Sequence, residues 1–201
     1  MTSTSQLIRT YNRSTRKYVV GKRVDMGKVL WHVTMSLDGF IAGPGDDMAW
    51  VSDYVGPNET VEEVIEQIGA LLTGNRTHQL AKTEKGKAYG GAWTGPQFVL
   101  THDAPDTAAA GFTFVSGDIR DAVAKAQAAA GDKHVVIFGA DTARQCLDVG
   151  VLGEILVHSA PVLLGDGVRM FDRPGGANVM LEQISRTQPP QVTTLWLRVV
   201  K

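Results

Sequence analysis

Apolar residues recur along this chain in two alternating rhythms. Short runs of β-formers are separated by stretches in which apolar positions return every three or four residues. Lys28–Met35 reads as a strand, and Phe40-Ile41 continues in extended form after the Asp38-Gly39 turn. Gly43 to Asp47 reads as a loop. Val61, Val64, Ile65 and Ile68 stand at helical spacing and predict a helix over Glu59–Gln67. Ala70–Thr73 is a short buried strand ending at Gly74, and Arg76–Leu80 begins a short helix. Lys85–Thr94 is polar and glycine-rich and predicts a mobile loop. Phe98–Thr101 and Phe112–Val115 are the next strands, and Ser116 is placed to cap a helix that ends near Ala130, at Gly131. Val135–Phe138 then empties through Gly139-Ala140 into a helix closed by Gly150. Beyond it Glu154–Ser159, Met180–Thr187 and Thr193–Val200 read as strands joined by glycine or proline turns, with Val168–Phe171 a further short one. The pattern predicts an α/β fold, a mostly parallel sheet alternating with helices and closed by an antiparallel C-terminal end.

Composition narrows the class. The 201 residues suit one domain, and 43% hydrophobic residues are enough for a globular core rather than a disordered chain. No apolar run reaches the length of a bilayer span. The net charge of −1 hides an uneven spread. Arg9, Arg13, Arg16, Lys17, Lys22 and Arg23 crowd the start against Asp25 alone. Residues 1–26 therefore read as a flexible basic extension, and 27–201 as the folded domain. The extension has no long apolar core, so it is not a secretory signal, and it is too short to make a nucleic-acid partner the expectation. Cys146 is the one cysteine, so no intramolecular disulfide forms, which fits a cytoplasmic protein. It falls on the apolar side of its helix and reads as a small core residue.

Candidate chemistry gathers at three strand ends. In an open α/β sheet, ligands sit outside the C-terminal ends of parallel strands. Gly74-Asn75-Arg76-Thr77 offers a glycine for close approach, an arginine fork for phosphate and a hydroxyl. Thr101-His102 follows the next strand. Gly139-Ala140-Asp141-Thr142 opens a helix, whose first N–H groups lack partners and face outward at the positive end of the dipole. Asp141 either caps that helix itself or points away and leaves a phosphate to the backbone. Metal ligation has no support: His32, His78, His102, His134 and His158 show no ligand spacing. The GxSxG elbow, the P-loop and the full GxGxxG fingerprint are all absent.

Taken in order, Thr34 to Ala42 (TMSLDGFIA), Gly74 to Thr77 (GNRT), Phe138 to Gln145 (FGADTARQ) and Ala160 to Gly167 (APVLLGDG) resemble the dihydrofolate-reductase-like superfamily. Within it the chain is most similar to the C-terminal reductase domain of the bifunctional riboflavin-biosynthesis deaminase-reductase, over about residues 27–200. The resemblance implies a central mixed sheet of about eight strands flanked by helices, and NADPH as hydride donor. It implies that Thr34, Ile41 and Ala42 hold the nicotinamide carboxamide. Gly74, Asn75, Arg76, Thr77, Thr101 and His102 would hold the adenosine 2′-phosphate and part of the diphosphate. Phe138, Gly139, Ala140, Asp141 and Thr142 would take the diphosphate, with Gln145 one turn on. Related reductases carry Gly-Gly with a cis peptide at this turn, so the Phe138-Gly139 bond is expected to be cis or strained.

On the substrate side, Asp38 matches the aspartate of the family motif. It is read in two ways: as a group that binds a pyrimidine or assists a proton, or as a turn residue bonding its own backbone. Trp50 matches a tryptophan near the folate site of dihydrofolate reductases. The carboxylate expected a few residues later is replaced by Val55, with Asp53 out of register, which argues against folate reduction. Arg169 and Arg173 are candidates for a ribose phosphate. The function expected is an NADPH-dependent reductase of a small heterocyclic or carbonyl substrate, riboflavin-pathway-like and homodimeric. The alternatives are an NADP(H)-binding module or homodimer without turnover, and a dihydrofolate reductase.

Overall fold

The structure is a computed structural model that describes residues 10–12, 17–19, 27–83, 87–105 and 111–201. Of the expected basic extension, only β1 (Thr10–Asn12) and β2 (Lys17–Val19) are described, paired antiparallel. The rest of that expectation lies outside the described residues, as does the start of the loop expected over Lys85–Thr94.

An eight-stranded sheet organises the domain. It uses β3 (Val29–Ser36), β5 (Ile68–Gly74), β6 (Gln97–Leu100), β7 (Phe112–Val115), β8 (His134–Phe138), β9 (Glu154–Ala160), β11 (Leu181–Thr187) and β12 (Thr193–Val199). Their order is β11-β12-β9-β3-β8-β5-β6-β7. The strands from β9 to β7 are parallel, and β12 and β11 join antiparallel at one end, as the hydrophobic pattern predicts. β4 (Phe40–Ala42) pairs separately with the short β10 (Val168–Arg169).

Helices cover both faces. α1 (Glu59–Gln67) has the bounds its spacing predicts, and Asn58 caps it by accepting from the Thr60 N–H at 3.1 Å. α3 (Ile119–Ala130) starts later than expected: Asp118, not Ser116, supplies the cap, because its carboxylate reaches the Arg120 N–H. α2 (Asn75–Thr83) and α4 (Ala140–Asp148) each follow a strand directly.

Side chains alternate across the strands, so each strand feeds two cores. Trp31, Leu72, Val135, Ile137 and Ile155 pack with Ala122, Val123 and Ala126 of α3 and with Ala143 and Cys146 of α4. Leu30, Leu71, Val136, Leu156 and Trp196 pack on the other face with Val64 of α1. Cys146 is fully buried, and burial pushes its thiol up to about 12, which leaves it a core residue rather than a nucleophile. No helix among the described residues is long and apolar enough to cross a membrane.

Candidate functional site

A cavity of about 720 Å³ opens at the C-terminal edge of β3, β5, β6 and β8. All the residues proposed for cofactor binding, from Thr34 to Gln145, line it. Parallel pairing explains the convergence. Thr73 at the end of β5 stands opposite Phe138 at the end of β8, and Gly74 stands opposite Leu100 of β6. The turns that leave these strands therefore open side by side.

Two glycines let the turns close up. Gly139 has φ +97°, a region side chains rarely adopt, and a Cβ there would lie 2.6 Å from Thr77 Oγ1. A Cβ on Gly74 would lie 3.0 Å from Thr142 Oγ1. Gly139 is also the N-cap of α4 and makes no side-chain cap bond. Asp141 does not cap the helix either. Its carboxylate takes Arg144 at 2.5 Å and Gln145 at 2.7 Å. Partial burial pulls the Asp141 pKa upward, but those hydrogen bonds and the Arg144 charge outweigh it and the net shift is down. Of the two roles expected for Asp141, the structure takes the second: the carboxylate is tied to its own helix and the first-turn N–H groups stay free for an anion. This backbone-walled cradle fits a diphosphate. The described peptide bonds include no cis bond, so Phe138-Gly139 is trans and that expectation is corrected. The positive φ of Gly139 makes the sharp turn instead.

Arg76 reaches the mouth of the cavity, where Asp46 holds it from two sides: Nε to Oδ2 at 2.7 Å and Nη2 to Oδ1 at 2.6 Å. Asp46 itself sits at φ +67°, an uncommon place for a residue with a Cβ. Sequence reading gave the loop Gly43–Asp47 no role; its Asp46 and the following Met48 and Val51 line the cavity.

The deeper wall also escaped the sequence. His32 and Tyr89 line it. The Tyr89 hydroxyl meets His32 Nδ1 at 2.8 Å, and His32 Nε2 meets His158 Nε2 at 2.7 Å. His158 Nδ1 then meets Thr194 Oγ1 at 2.7 Å, and Asn58 Nδ2 donates to that oxygen at 3.4 Å. This polar row lies one layer above the Leu30, Leu156 and Trp196 core, two residues along each strand and so on the same face. Burial, and then the facing His158, lower His32 to about 3; burial lowers His158 to about 4. Both rings are neutral at pH 7. Burial also raises the Tyr89 pKa. Within the loop expected over Lys85–Thr94, Ala88–Gly91 forms a 3-10 turn, and Tyr89 and Trp93 pack against the core beneath α1.

The two residues proposed for catalysis stand elsewhere. Neither Asp38 nor Trp50 lines the cavity. Asp38 accepts from Ser36 Oγ at 2.6 Å and from the N–H groups of Leu164 and Gly165 at 3.1 and 2.7 Å. The Ser36 hydrogen bond, helped by Gly165 and Leu164 against a desolvation that opposes them, holds its pKa below 3.8. Trp50 packs edge-on to Tyr54 in a 3-10 helix, and its Nε1 has no partner among the described residues. Arg169 stacks over Phe40, and Arg173 pairs with Asp148. No group of acids, histidines or cysteines among the described residues could hold a metal.

Comparison with known proteins follows the same lines. A family model described as the RibD C-terminal domain matches residues 27–194. No curated protein matches the chain. A putative riboflavin biosynthesis protein from Shewanella sp. PV-4 superimposes with a TM-score of 0.74 at 20% identity, over 87% of this chain and 99% of that one. The diaminohydroxyphosphoribosylaminopyrimidine deaminase/5-amino-6-(5-phosphoribosylamino)uracil reductase of Thermotoga maritima gives 0.63 at 14% identity, over 90% of this chain but 58% of that one. Dihydrofolate reductase from Enterococcus faecalis, complexed with NADP(H) and RAB-propyl, gives 0.57 at 12% identity, over 87% and 96%. The fold is dihydrofolate-reductase-like.

Proposed function

This chain belongs to the RibD C-terminal domain family, and we propose that it is an NADPH-dependent reductase of a small heterocyclic substrate. The observation that carries this reading is the convergence of Gly74–Thr77, Thr101-His102 and Gly139–Thr142 on one cavity beside Thr34, Ile41 and Ala42. Free N–H groups at α4 suit the diphosphate, and Arg76 suits the 2′-phosphate once it leaves or shares Asp46. A reduced nicotinamide supplies a hydride when bound. The protein contributes orientation, a dry wall and a proton. The Thermotoga protein's reductase substrate, 5-amino-6-(5-phosphoribosylamino)uracil, is the first compound to try. Asp38 serves in this reading as a clamp on the Leu164-Gly165 turn, so that β4 and its Ile41-Ala42 stay at the rim.

The test is a titration with NADPH and, separately, NADH, followed by tryptophan quenching and energy transfer to the nicotinamide. Saturable quenching with NADPH is expected, followed by its oxidation when the pyrimidine is added. No saturable change with either nucleotide sinks the reductase reading. Binding without oxidation supports the binding-module alternative. We also propose a homodimer through the C-terminal strands, where Met180, Leu181 and Ile184 are exposed on β11 and its approach. Light scattering showing a monomer at all concentrations removes that part.

A further inference from the structure

The histidine row has a direction, and that direction can be deduced. Two neutral imidazoles that share an Nε2···Nε2 contact hold one proton between them. The proton's place sets both tautomers. If His32 carries it, His32 Nδ1 is bare and the Tyr89 hydroxyl must turn inward to donate to it. If His158 carries it, His32 Nδ1 carries its own hydrogen, donates to the Tyr89 oxygen, and leaves the Tyr89 proton for the cavity.

The far end of the row decides between the two. Asn58 is the N-cap of α1, and its Oδ1 is taken by the Thr60 N–H. That places its amide nitrogen, a donor, toward Thr194 Oγ1. Thr194 is 1% exposed, and its hydroxyl meets Asn58 and His158 alone among the described residues. Asn58 offers it only a donor, so the one acceptor its buried hydroxyl hydrogen meets is His158 Nδ1, and Thr194 donates there. His158 then bears its hydrogen on Nε2, His32 bears its own on Nδ1, and each contact in the row has one donor and one acceptor.

We propose that the Asn58 cap orients this row so that Tyr89 presents its hydroxyl hydrogen to the cavity as the proton donor of the reduction. Tyr89 is the catalytic residue; His32, His158, Thr194 and Asn58 are positioning residues. His32 lies two residues before Thr34 on the same strand face, roughly 6.6 Å back along β3. The donor therefore stands beside the rim assigned to the nicotinamide. As a carbonyl or imine carbon of the substrate gains its hydride, the π pair moves onto the oxygen or nitrogen. That atom takes the proton as the Tyr89 O–H bond breaks. The resulting phenolate accepts from His32 Nδ1–H and regains a proton from water after product leaves. Burial, which weakens Tyr89 as an acid, keeps its proton in place until an anion stronger than phenolate develops beside it.

The proposal rests on the reductase reading for its kinetics but not for its geometry. Nitrogen NMR of the histidine-labelled full chain reads the tautomers with no ligand present. His32 is expected as the Nδ1–H form and His158 as the Nε2–H form. Asn58→Asp keeps a good N-cap but faces Thr194 with an acceptor, so both tautomers are expected to invert. The opposite wild-type tautomers, or no inversion in that variant, overturn the assigned direction. Kinetics supply the second arm, with NADPH and 5-amino-6-(5-phosphoribosylamino)uracil. Tyr89→Phe is expected to lower kcat about 100- to 1000-fold, with KM and NADPH affinity within about threefold. Asn58→Asp is expected to lower kcat at least about tenfold with Tyr89 intact. Full activity of Tyr89→Phe overturns the donor role. A wild type that binds NADPH but leaves this pyrimidine unreduced overturns the functional reading and the donor role with it, while the tautomers still decide the row's direction.

Discussion

The two ends of the cavity are built on different plans. The turn-built end, proposed for phosphate, consists of three short turns, each contiguous in sequence, and it relies on glycine backbone and helix N–H groups. The deep wall takes one side chain from each of several elements, with sequence separations of 57, 126, 36 and 136 along the row. The first plan tolerates changes of side chain and fails when backbone conformation is lost. The second tolerates backbone variation and fails when any single partner goes unsatisfied. One cavity thus combines a rigid anion cradle with a wall whose chemistry can be retuned.

The sharpest break of the first plan is Gly139→Ala. The added Cβ meets Thr77 Oγ1 at 2.6 Å and the φ of +97° is wrong for alanine. NADPH affinity is expected to fall about 100-fold, or about 2.7 kcal/mol, measured by the fluorescence titration. An unchanged affinity would remove this turn from the cofactor site. Next in size is His158→Leu, which leaves His32 Nε2 and Thr194 without their partner. It is expected to cost about 1–3 kcal/mol in urea unfolding. Adding His32→Leu should cost less than the sum of the two singles, because the orphaned groups vanish together. The same pair governs the acid limb. Both rings are held below their ordinary 6.5, so the unfolded state binds protons first and stability is lost as pH falls below about 6.5 toward 4 and 3. The double variant should lose that slope; a slope identical to wild type would show that the row is not what titrates.

Sequence could read the first plan and not the second, for a physical reason. A glycine turn after a strand carries its meaning locally, and the parallel order of β5, β6 and β8 does the rest. Nothing local marks His32 and His158 as partners, since their contact follows from the pairing of Thr34 with His158. Tyr89 was masked by its setting, because glycines and lysines around it resemble a mobile loop while its ring packs against Phe138 at 5.7 Å. One signal was available. Polar residues interrupt the apolar alternation two places after Leu30 and Leu156 and two before Trp196, on strands that otherwise bury that face. Asp38 keeps the turn among its two readings in view: a family motif marks it for chemistry, and its carboxylate accepts from the Leu164 and Gly165 N–H groups.

Smaller effects sharpen the contrast further. Arg76→Ala is expected to weaken NADPH about tenfold and leave NADH unchanged, since only the former carries the 2′-phosphate. Equal losses for both nucleotides would place Arg76 elsewhere on the cofactor. Asp46→Asn weakens the grip on Arg76 and should tighten NADPH a few-fold by the same titration.

Smallest is Asp38→Ala, whose sign separates the rim from the deep wall. The Asp38 pKa is held down chiefly by Ser36, so its carboxylate stabilises the fold above its ordinary 3.8 and that contribution is lost as pH falls through the lower folded-state value. The gap in urea midpoint between wild type and Asp38→Ala should therefore persist at pH 5, where the histidine row has already begun to lose stability. It should close only in more acid solution. A gap that closes near pH 6 would tie Asp38 to the histidines, and a gap constant down to the acid end would mean its carboxylate holds the Leu164-Gly165 turn no better when charged. The first result would join the two plans that the hydrogen bonds keep apart.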